Sequence, residues 1–258
     1  MLRPLVRMLV PAVLALAFLL PGVSHADRRY FLQSYTPYLS PAGELELEIH
    51  SIARNGQGDS TNTGWTNRLE FEYGLTDRVT GALYLNFVQS GDAGSAMRFD
   101  GPSLEVIARL GERGRIPLDP ALYLEVRENG TELEVEPKLL LAHRHGVLVA
   151  AGNVIGEFER PHLGGPTEKA LALTAGVSRE FGPVAALGLE TIYQHQFASG
   201  PDDPAALLVG PTLNLQKEKV QISLGWHPQV WGDPRTAHGL DLADFPRSEV
   251  RLLLGVEL

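Results

Sequence analysis

Apolar and polar residues alternate along most of the chain, and the pattern is clearest near the carboxyl terminus. There, Val250, Leu252 and Leu254 fall on one face. Glu249 and Arg251 fall on the other. Successive side chains of a β-strand point to opposite faces, so this stretch predicts a strand with one apolar and one polar face.

Twelve segments alternate in this way, and most have the 9–11 residues that a tilted transmembrane strand needs. The predicted strands are 43–55, 64–73, 79–88, 102–110, 120–128, 131–142, 147–159, 169–180, 184–195, 205–216, 220–229 and 248–258. The pattern predicts an all-β fold, a single transmembrane antiparallel β-barrel of about 12 strands in up-and-down order. The rival is a soluble β-sandwich or lipocalin-like barrel, but a lipocalin needs only about eight strands.

Long and short connectors alternate between these segments, as the outer loops and periplasmic turns of membrane barrels do. The pair Asn129-Gly130 favours a two-residue type I′ hairpin turn. That turn would pair Glu128 with Thr131 and Glu125 with Glu134. Both residues of the second pair then lie on the polar face, as alternation also predicts.

The start of the chain has the pattern of a secretory signal peptide. Arg3 and Arg7 flank the beginning of an apolar run, 8–20, that is short for a membrane span. Ser24-His25-Ala26 fits a small-x-small cleavage site. We therefore predict a cleaved signal peptide over 1–26 and export to the bacterial outer membrane.

The rest of the chain divides into a periplasmic amino-terminal segment, 27–42, and the outer-membrane β-barrel, 43–258. The segment is rich in aromatic residues, and it either enters the lumen or lines the periplasmic mouth. These aromatic residues are Tyr30, Phe31, Tyr35 and Tyr38.

Composition narrows the possible partners. The chain has no cysteine, so it has no lipid-anchor site and no disulfide framework. Its net charge of −9 argues against nucleic acid as a partner. The expected partners are outer-membrane lipid, the barrel-assembly machinery during biogenesis and a small-molecule solute.

The polar face carries many charged residues, which cannot face hydrocarbon and must therefore face the lumen. The candidate pore-lining residues are Glu46, Glu48, Arg68, Glu70, Glu105, Arg109, Glu125, Arg127, Glu134, Glu136, Lys138, Glu190 and Arg251. Their carboxylates outnumber their cations. Two interpretations follow: a packed interior of salt bridges, or a narrow hydrated conduit with an acidic lining.

Catalysis has little support in the sequence. Several histidines lie near the predicted outer rim, some with aspartates nearby, but no spacing among them matches a nucleophile motif. These histidines are His162, His195, His227 and His238. We predict no catalytic residue, no metal site and no cofactor.

Four stretches carry a resemblance to a known family. They are Glu72–Arg78, Pro120–Glu125, Glu134–Leu141 and Asn153–Glu157. The chain resembles the small proteobacterial outer-membrane barrels associated with the phenol-degradation MetA pathway or described as uncharacterised transporter-like proteins. The resemblance implies a barrel and uptake of small, hydrophobic compounds, and it implies no catalytic residues. The final residue, Leu258, departs from the terminal aromatic residue that such barrels usually present to the assembly machinery.

The leading functional hypothesis is a passive channel or uptake protein for small solutes with an acidic lumen. The alternative is a non-conducting structural or interaction barrel that presents its loops outside, and an outer-membrane hydrolase ranks third. We also expect Leu252→Arg to be far more damaging than Leu253→Arg if the lumen is wet, because Leu253 belongs to the inner face.

Overall fold

The computed structural model describes residues 28–58, 63–92, 94–197, 203–235 and 238–258. The predicted signal peptide lies outside the described residues. In the described ranges, no helix is long and apolar enough to cross a membrane.

Each of the twelve predicted segments corresponds to one observed strand. The strands are β1 (Leu45–Asn55), β2 (Thr63–Thr76), β3 (Val79–Gln89), β4 (Arg98–Arg109), β5 (Ala121–Glu128), β6 (Glu132–His145), β7 (Leu148–Pro161), β8 (Glu168–Phe181), β9 (Ala185–Phe197), β10 (Ala205–Lys217), β11 (Val220–Asp233) and β12 (Ser248–Glu257).

Every strand pairs antiparallel with its neighbours in sequence, and β1 pairs with β12 to close the sheet. The closing register runs from Glu46 opposite Glu257 to Asn55 opposite Ser248. Closure gives the backbone groups of both terminal strands a partner, which a structure in lipid requires. The predicted fold class, an all-β closed antiparallel barrel of twelve strands, is confirmed.

The two faces of the sheet differ as alternation predicts. On β4, the outward Leu104 is 66% exposed, whereas the inward Ser103 and Glu105 are buried. Large apolar side chains also cover the outside of the other strands, including Leu122 on β5 and Leu189 on β9. An apolar outer band around a polar interior is the arrangement of a barrel that sits in a membrane.

The barrel has two distinct ends. One end, which we call the terminal end, carries the start of β1 and the end of β12. The connectors β2–β3, β4–β5, β6–β7, β8–β9 and β10–β11 lie at the same end. The loop end carries the other connectors, among them the long one between β11 and β12. Each strand of the barrel therefore runs from one of these ends to the other.

The predicted register of the β5–β6 hairpin is wrong, although its facing is right. Glu125 lies opposite Glu136, not Glu134. Asn129 accounts for the shift, because its Oδ1 accepts a hydrogen bond from the Thr131 N–H at 3.0 Å and so stabilises a turn that starts later in the chain. The shift is two residues, and an even shift leaves every side chain on its predicted face.

Candidate channel lumen and its amino-terminal plug

Residues 28–44, which precede β1, lie inside the barrel, and we call them the plug. At its start, the Arg28 guanidinium donates a hydrogen bond to the Pro183 carbonyl in the β8–β9 turn. At its finish, the Gly43 N–H donates to the Gly74 carbonyl near the end of β2, at 2.8 Å. Both contacts are at the terminal end, so the plug enters the lumen and returns to the same rim.

One wall carboxylate holds the turn of the plug. Glu190 on β9 is fully buried and accepts hydrogen bonds from the backbone N–H groups of Leu32, Gln33 and Ser34 at 3.2, 3.0 and 2.6 Å. The Nε2 atom of His227 on β11 lies 3.1 Å from the same carboxylate. Hydrogen bonds to an ionised acceptor are stronger than neutral ones, so Glu190 is the main polar anchor of the plug.

Aromatic side chains form a second, apolar anchor of the plug. Tyr30, Phe31 and Tyr38 form a buried cluster with small residues of β6, β7 and β9. The Phe31 ring occupies the space beside Gly176 of β8, where a Cβ atom would lie only 2.4 Å from the ring carbon Cε1. A residue larger than glycine at 176 would therefore compete with Phe31 for the same space.

Arg29 brings a cation into the acidic part of the lumen. Its guanidinium lies 3.2 Å from Glu48 and 3.1 Å from Glu72, and both carboxylates are buried. Further along, the Tyr35 ring meets the Tyr123 ring edge-on, and the Lys138 ammonium lies over both rings. The plug thus supplies part of the charge that balances the wall.

Little space remains around the plug. The gap between Arg29–Thr36, His50 and Leu253 has a volume of about 10 Å³, which is room for one water molecule at most. Leu253 is itself only 2% exposed. The condition of a wet lumen is therefore not met at this residue, because the plug packs against it.

A much larger cavity, which we call the vestibule, opens at the loop end. Its volume is about 660 Å³, and Glu157, Glu159 and Glu249 line it together with Arg54 and Lys169. The connector between β11 and β12 folds over its mouth, where Phe245 packs on Ile192 and Leu208.

That connector also contributes Asp244 to the vestibule lining. Partial burial and the neighbouring Asp241 carboxylate raise the pKa of Asp244. Acidic groups therefore extend from the loops into the lumen.

The sequence profile of one family covers most of this chain, at residues 23–103 and 150–258. The chain belongs to DUF6662, a family of unknown function. Among curated proteins, none is significantly similar to it in sequence.

Solved structures share the fold of this DUF6662 protein. The COG4313 outer membrane channel from Pseudomonas putida F1 has a TM-score of 0.63 and 14% identity, over 86% of this chain and 98% of that one. The NanC porin has a TM-score of 0.55 and 10% identity, over 82% of this chain and 100% of that one. The KdgM porin has a TM-score of 0.54 and 10% identity, over 83% and 99%, and has also been solved in complex with disordered oligogalacturonate.

The DUF6662 protein thus has the fold of small outer-membrane channels and porins, a closed β-barrel. At these identities the similarity concerns the fold alone. None of these similarities identifies the phenol-degradation MetA pathway, so that part of the predicted resemblance stays a prediction.

The predicted lumen residues mostly find partners of opposite charge. Arg68 binds Glu125, Arg127 binds Glu134, and Lys138 lies 2.8 Å from Glu136. Arg251 lies 2.6 Å from Glu249, a residue outside the candidate set. This part of the lumen is therefore a set of ion pairs rather than a bare acidic lining.

Other predicted residues have polar, uncharged or plug partners. Glu46 accepts a hydrogen bond from Gln221 at 2.7 Å, and Glu105 accepts one from Tyr84 at 2.5 Å. Glu48 and Glu190 bind the plug, as described above. Arg109 lies apart from the group, since its guanidinium donates to the Asp77 carbonyl at the terminal end.

Two histidines have roles that the sequence analysis missed. His50 lies 3.1 Å from Glu48 and 2.8 Å from Glu70, and strand alternation already placed it in phase with Glu48. His227, assigned to the outer rim, is instead fully buried in the lumen beside Glu190. It faces inward in alternation with the outward Trp226, and it lies below the rim because β11 continues past the predicted end at 229 to Asp233.

Proposed function

We propose that this protein is a passive outer-membrane channel for small solutes, closed at rest by its own plug and selective for cations. One observation supports the proposal above all others. The lumen is filled by a terminal stretch of chain, 28–44, and not by side chains of the wall alone. This stretch has no strand pairing with the wall, so it can leave the lumen while the barrel stays folded.

The vestibule supports the cationic preference. Glu157 and Glu159 point into it, and neither forms an ion pair with a cation in the ranges that the structure describes. Rows of like charge within a cleft focus the electrostatic potential and raise the local concentration of counter-ions. Carboxylates that line a pore select cations for the same reason.

The charge balance of the interior favours a second candidate, a non-conducting structural barrel. Arg28 lies 3.5 Å from Glu180, and Arg29 pairs with two wall carboxylates, so the plug offsets part of the acidic excess predicted for the lumen. A well-paired interior is what a permanent plug needs. The two candidates therefore differ in whether the plug ever leaves.

The nature of the cargo follows from the vestibule rather than from the family resemblance. Uptake of hydrophobic compounds, which the MetA-pathway resemblance implies, would need an apolar entrance. Carboxylates, amides and amines dominate the lining here, including Gln194, Gln196 and Lys169. A hydrophilic, neutral or positively charged solute fits this surface better, entering from the outside at the loop end.

Neutralising the vestibule should reduce cation selectivity without closing the pore. In planar bilayers with a KCl gradient, Glu157→Gln combined with Glu159→Gln is expected to lower the K⁺/Cl⁻ permeability ratio about threefold or more, since each kT of lost potential changes each local ion concentration about e-fold. The reversal potential of single-channel openings measures this ratio.

Arg54→Gln is the matched control for that experiment, because the Arg54 guanidinium lines the same vestibule with the opposite charge. It should raise the K⁺/Cl⁻ ratio. Equal ratios in the wild type and both variants would contradict the proposed role of the vestibule.

A further inference from the structure

Three carboxylates approach one another where β2 and β4 face the lumen. Glu70, Glu72 and Glu105 each offer an oxygen atom within 4.8 Å of those of the other two. All three side chains are buried, with 0%, 6% and 2% exposure respectively. Like charges at this separation repel strongly unless something neutralises them.

The hydrogen bonds of the cluster leave two oxygens without a donor. Glu72 accepts from Ser40 and Arg29 of the plug, at 2.6 and 3.1 Å. The second oxygens of Glu70 and Glu105 accept from His50 and Tyr84.

Oε1 of Glu70 and Oε1 of Glu105 are buried and have no hydrogen-bond partner in the described part of the chain. The nearest cation to the first of these atoms is the Arg29 guanidinium, at 3.9 Å. A buried carboxylate oxygen with no donor is costly, so these two atoms indicate a missing ligand.

Charge counting gives the sign of that ligand. His50 contacts both Glu48 and Glu70, so Glu48 joins the three carboxylates of the cluster. The buried group therefore contains four carboxylates. Among the described residues, the guanidinium of Arg29 is the one that lies within 4 Å of Glu48, Glu70 and Glu72, and the adjoining gap holds one water molecule at most. Carboxylates therefore outnumber guanidinium groups here, and the two oxygens without a donor call for a cation.

We propose that Glu70, Glu72 and Glu105 bind one divalent cation of the Ca²⁺ class. Ca²⁺ prefers carboxylate oxygens at about 2.3–2.6 Å, so two ligands of one ion can be about 5 Å apart. Mg²⁺ requires about 2.0–2.1 Å and would draw the three side chains closer together than Ca²⁺ does. The ion would link β2 to β4 across β3, beside Ser40 of the plug, and the site does not depend on whether the barrel conducts.

Terbium luminescence tests the site directly, because Tb³⁺ replaces Ca²⁺ and Tyr84 lies close enough to sensitise it. Folded protein in detergent, stripped with EDTA, is titrated with Tb³⁺ under tyrosine excitation. We expect one saturable ion per barrel, displaced by Ca²⁺ and lost in Glu105→Gln. The control is Glu157→Gln, which alters a second acidic group at the vestibule and should keep the signal.

Thermal unfolding provides an independent measurement, read from the mobility shift of folded and unfolded barrel on a gel. Ca²⁺ should raise the Tm of the wild type and leave that of Glu105→Gln unchanged. In EDTA the variant should unfold at the same temperature as the wild type or higher, because it has lost a repulsive charge. Glu70→Gln serves in its place if Glu105→Gln fails to fold.

Two results would overturn the proposal. One is a folded wild-type barrel with neither saturable Tb³⁺ luminescence nor a Ca²⁺-dependent Tm shift, which would mean that protons or water neutralise the cluster. The other is a signal that survives in Glu105→Gln and disappears in Glu157→Gln, which would place the ion in the vestibule.

Discussion

Replacing Gly176 with leucine is expected to increase strongly the fraction of a bilayer recording during which the barrel conducts. Any Cβ at this position would lie 2.4 Å from a ring carbon of Phe31, which is buried. Overpacking of this kind costs about 1–3 kcal/mol. That cost falls on the docked plug, so the ratio of open to closed barrels should rise about 5-fold to 150-fold.

The control for this variant is Gly152→Leu, on the neighbouring strand β7. A Cβ there meets only the Thr174 carbonyl oxygen, at an ordinary 3.5 Å, and the side chain would point to lipid. Its conductance should match that of the wild type. A correctly folded Gly176→Leu barrel that stays silent in the bilayer would favour the structural candidate over the channel.

Glu190→Gln should also increase the open time, because it weakens the hydrogen bonds that hold the plug. Glutamine can still accept the plug's N–H groups, but each charge-assisted hydrogen bond becomes a neutral one, which is weaker by about 1 kcal/mol. An increase in open time for both variants would identify plug release as the cause, since one acts by volume and the other by charge.

The second large effect concerns two adjacent leucines in the middle of β12. Leu252 faces outward between Ser51 and Leu224, and an arginine there should cost about 2–4 kcal/mol if it lies near the bilayer midplane. Leu253 faces inward and is buried against the plug. Leu253→Arg should therefore cost about 1–3 kcal/mol through overpacking, rather than the small amount expected for a wet lumen.

A double-mutant cycle separates the two mechanisms. In the Gly176→Leu background, where the plug is displaced, Leu253→Arg should lose most of its cost. Leu252→Arg should keep its full cost, because lipid is unaffected by the plug. The free energy of unfolding in urea with lipid vesicles measures all four values. Equal behaviour of the two leucine variants would contradict the facing assigned to β12.

The alternation of residues was enough to predict the strands, because a strand in lipid must separate apolar from charged side chains at every second position. It could not fix the β5–β6 register, which depends on a single side-chain hydrogen bond of Asn129. The alternation did place Glu190 and Arg251 on the inner face, where both are buried. The face on which a side chain lies thus follows from the alternation of apolar and polar residues, whereas the register between two strands depends on the turn that joins them.

The position and contacts of the plug could not be predicted from the sequence, for a different reason. Residues 28–44 have neither period two nor a helical period, so they carry no signal of where they lie. Their partners are distant in the chain, as with Ser34 and Glu190. The same holds for His227, which is buried beside Glu190 of β9.

The partners of the plug also set an order of assembly. Leu32, Gln33 and Ser34 bind Glu190 of β9, and the backbone of Arg29 bonds to Gln221 and Ser223 of β11. Residues 32–34 and the Arg29 backbone therefore lack these partners until the last third of the chain has formed its hairpins, whereas the Arg29 side chain can already reach Glu48 and Glu72 of the first two strands. We expect a trypsin-like protease to cut after Arg28 or Arg29 more readily in a barrel without those hairpins than in a finished one.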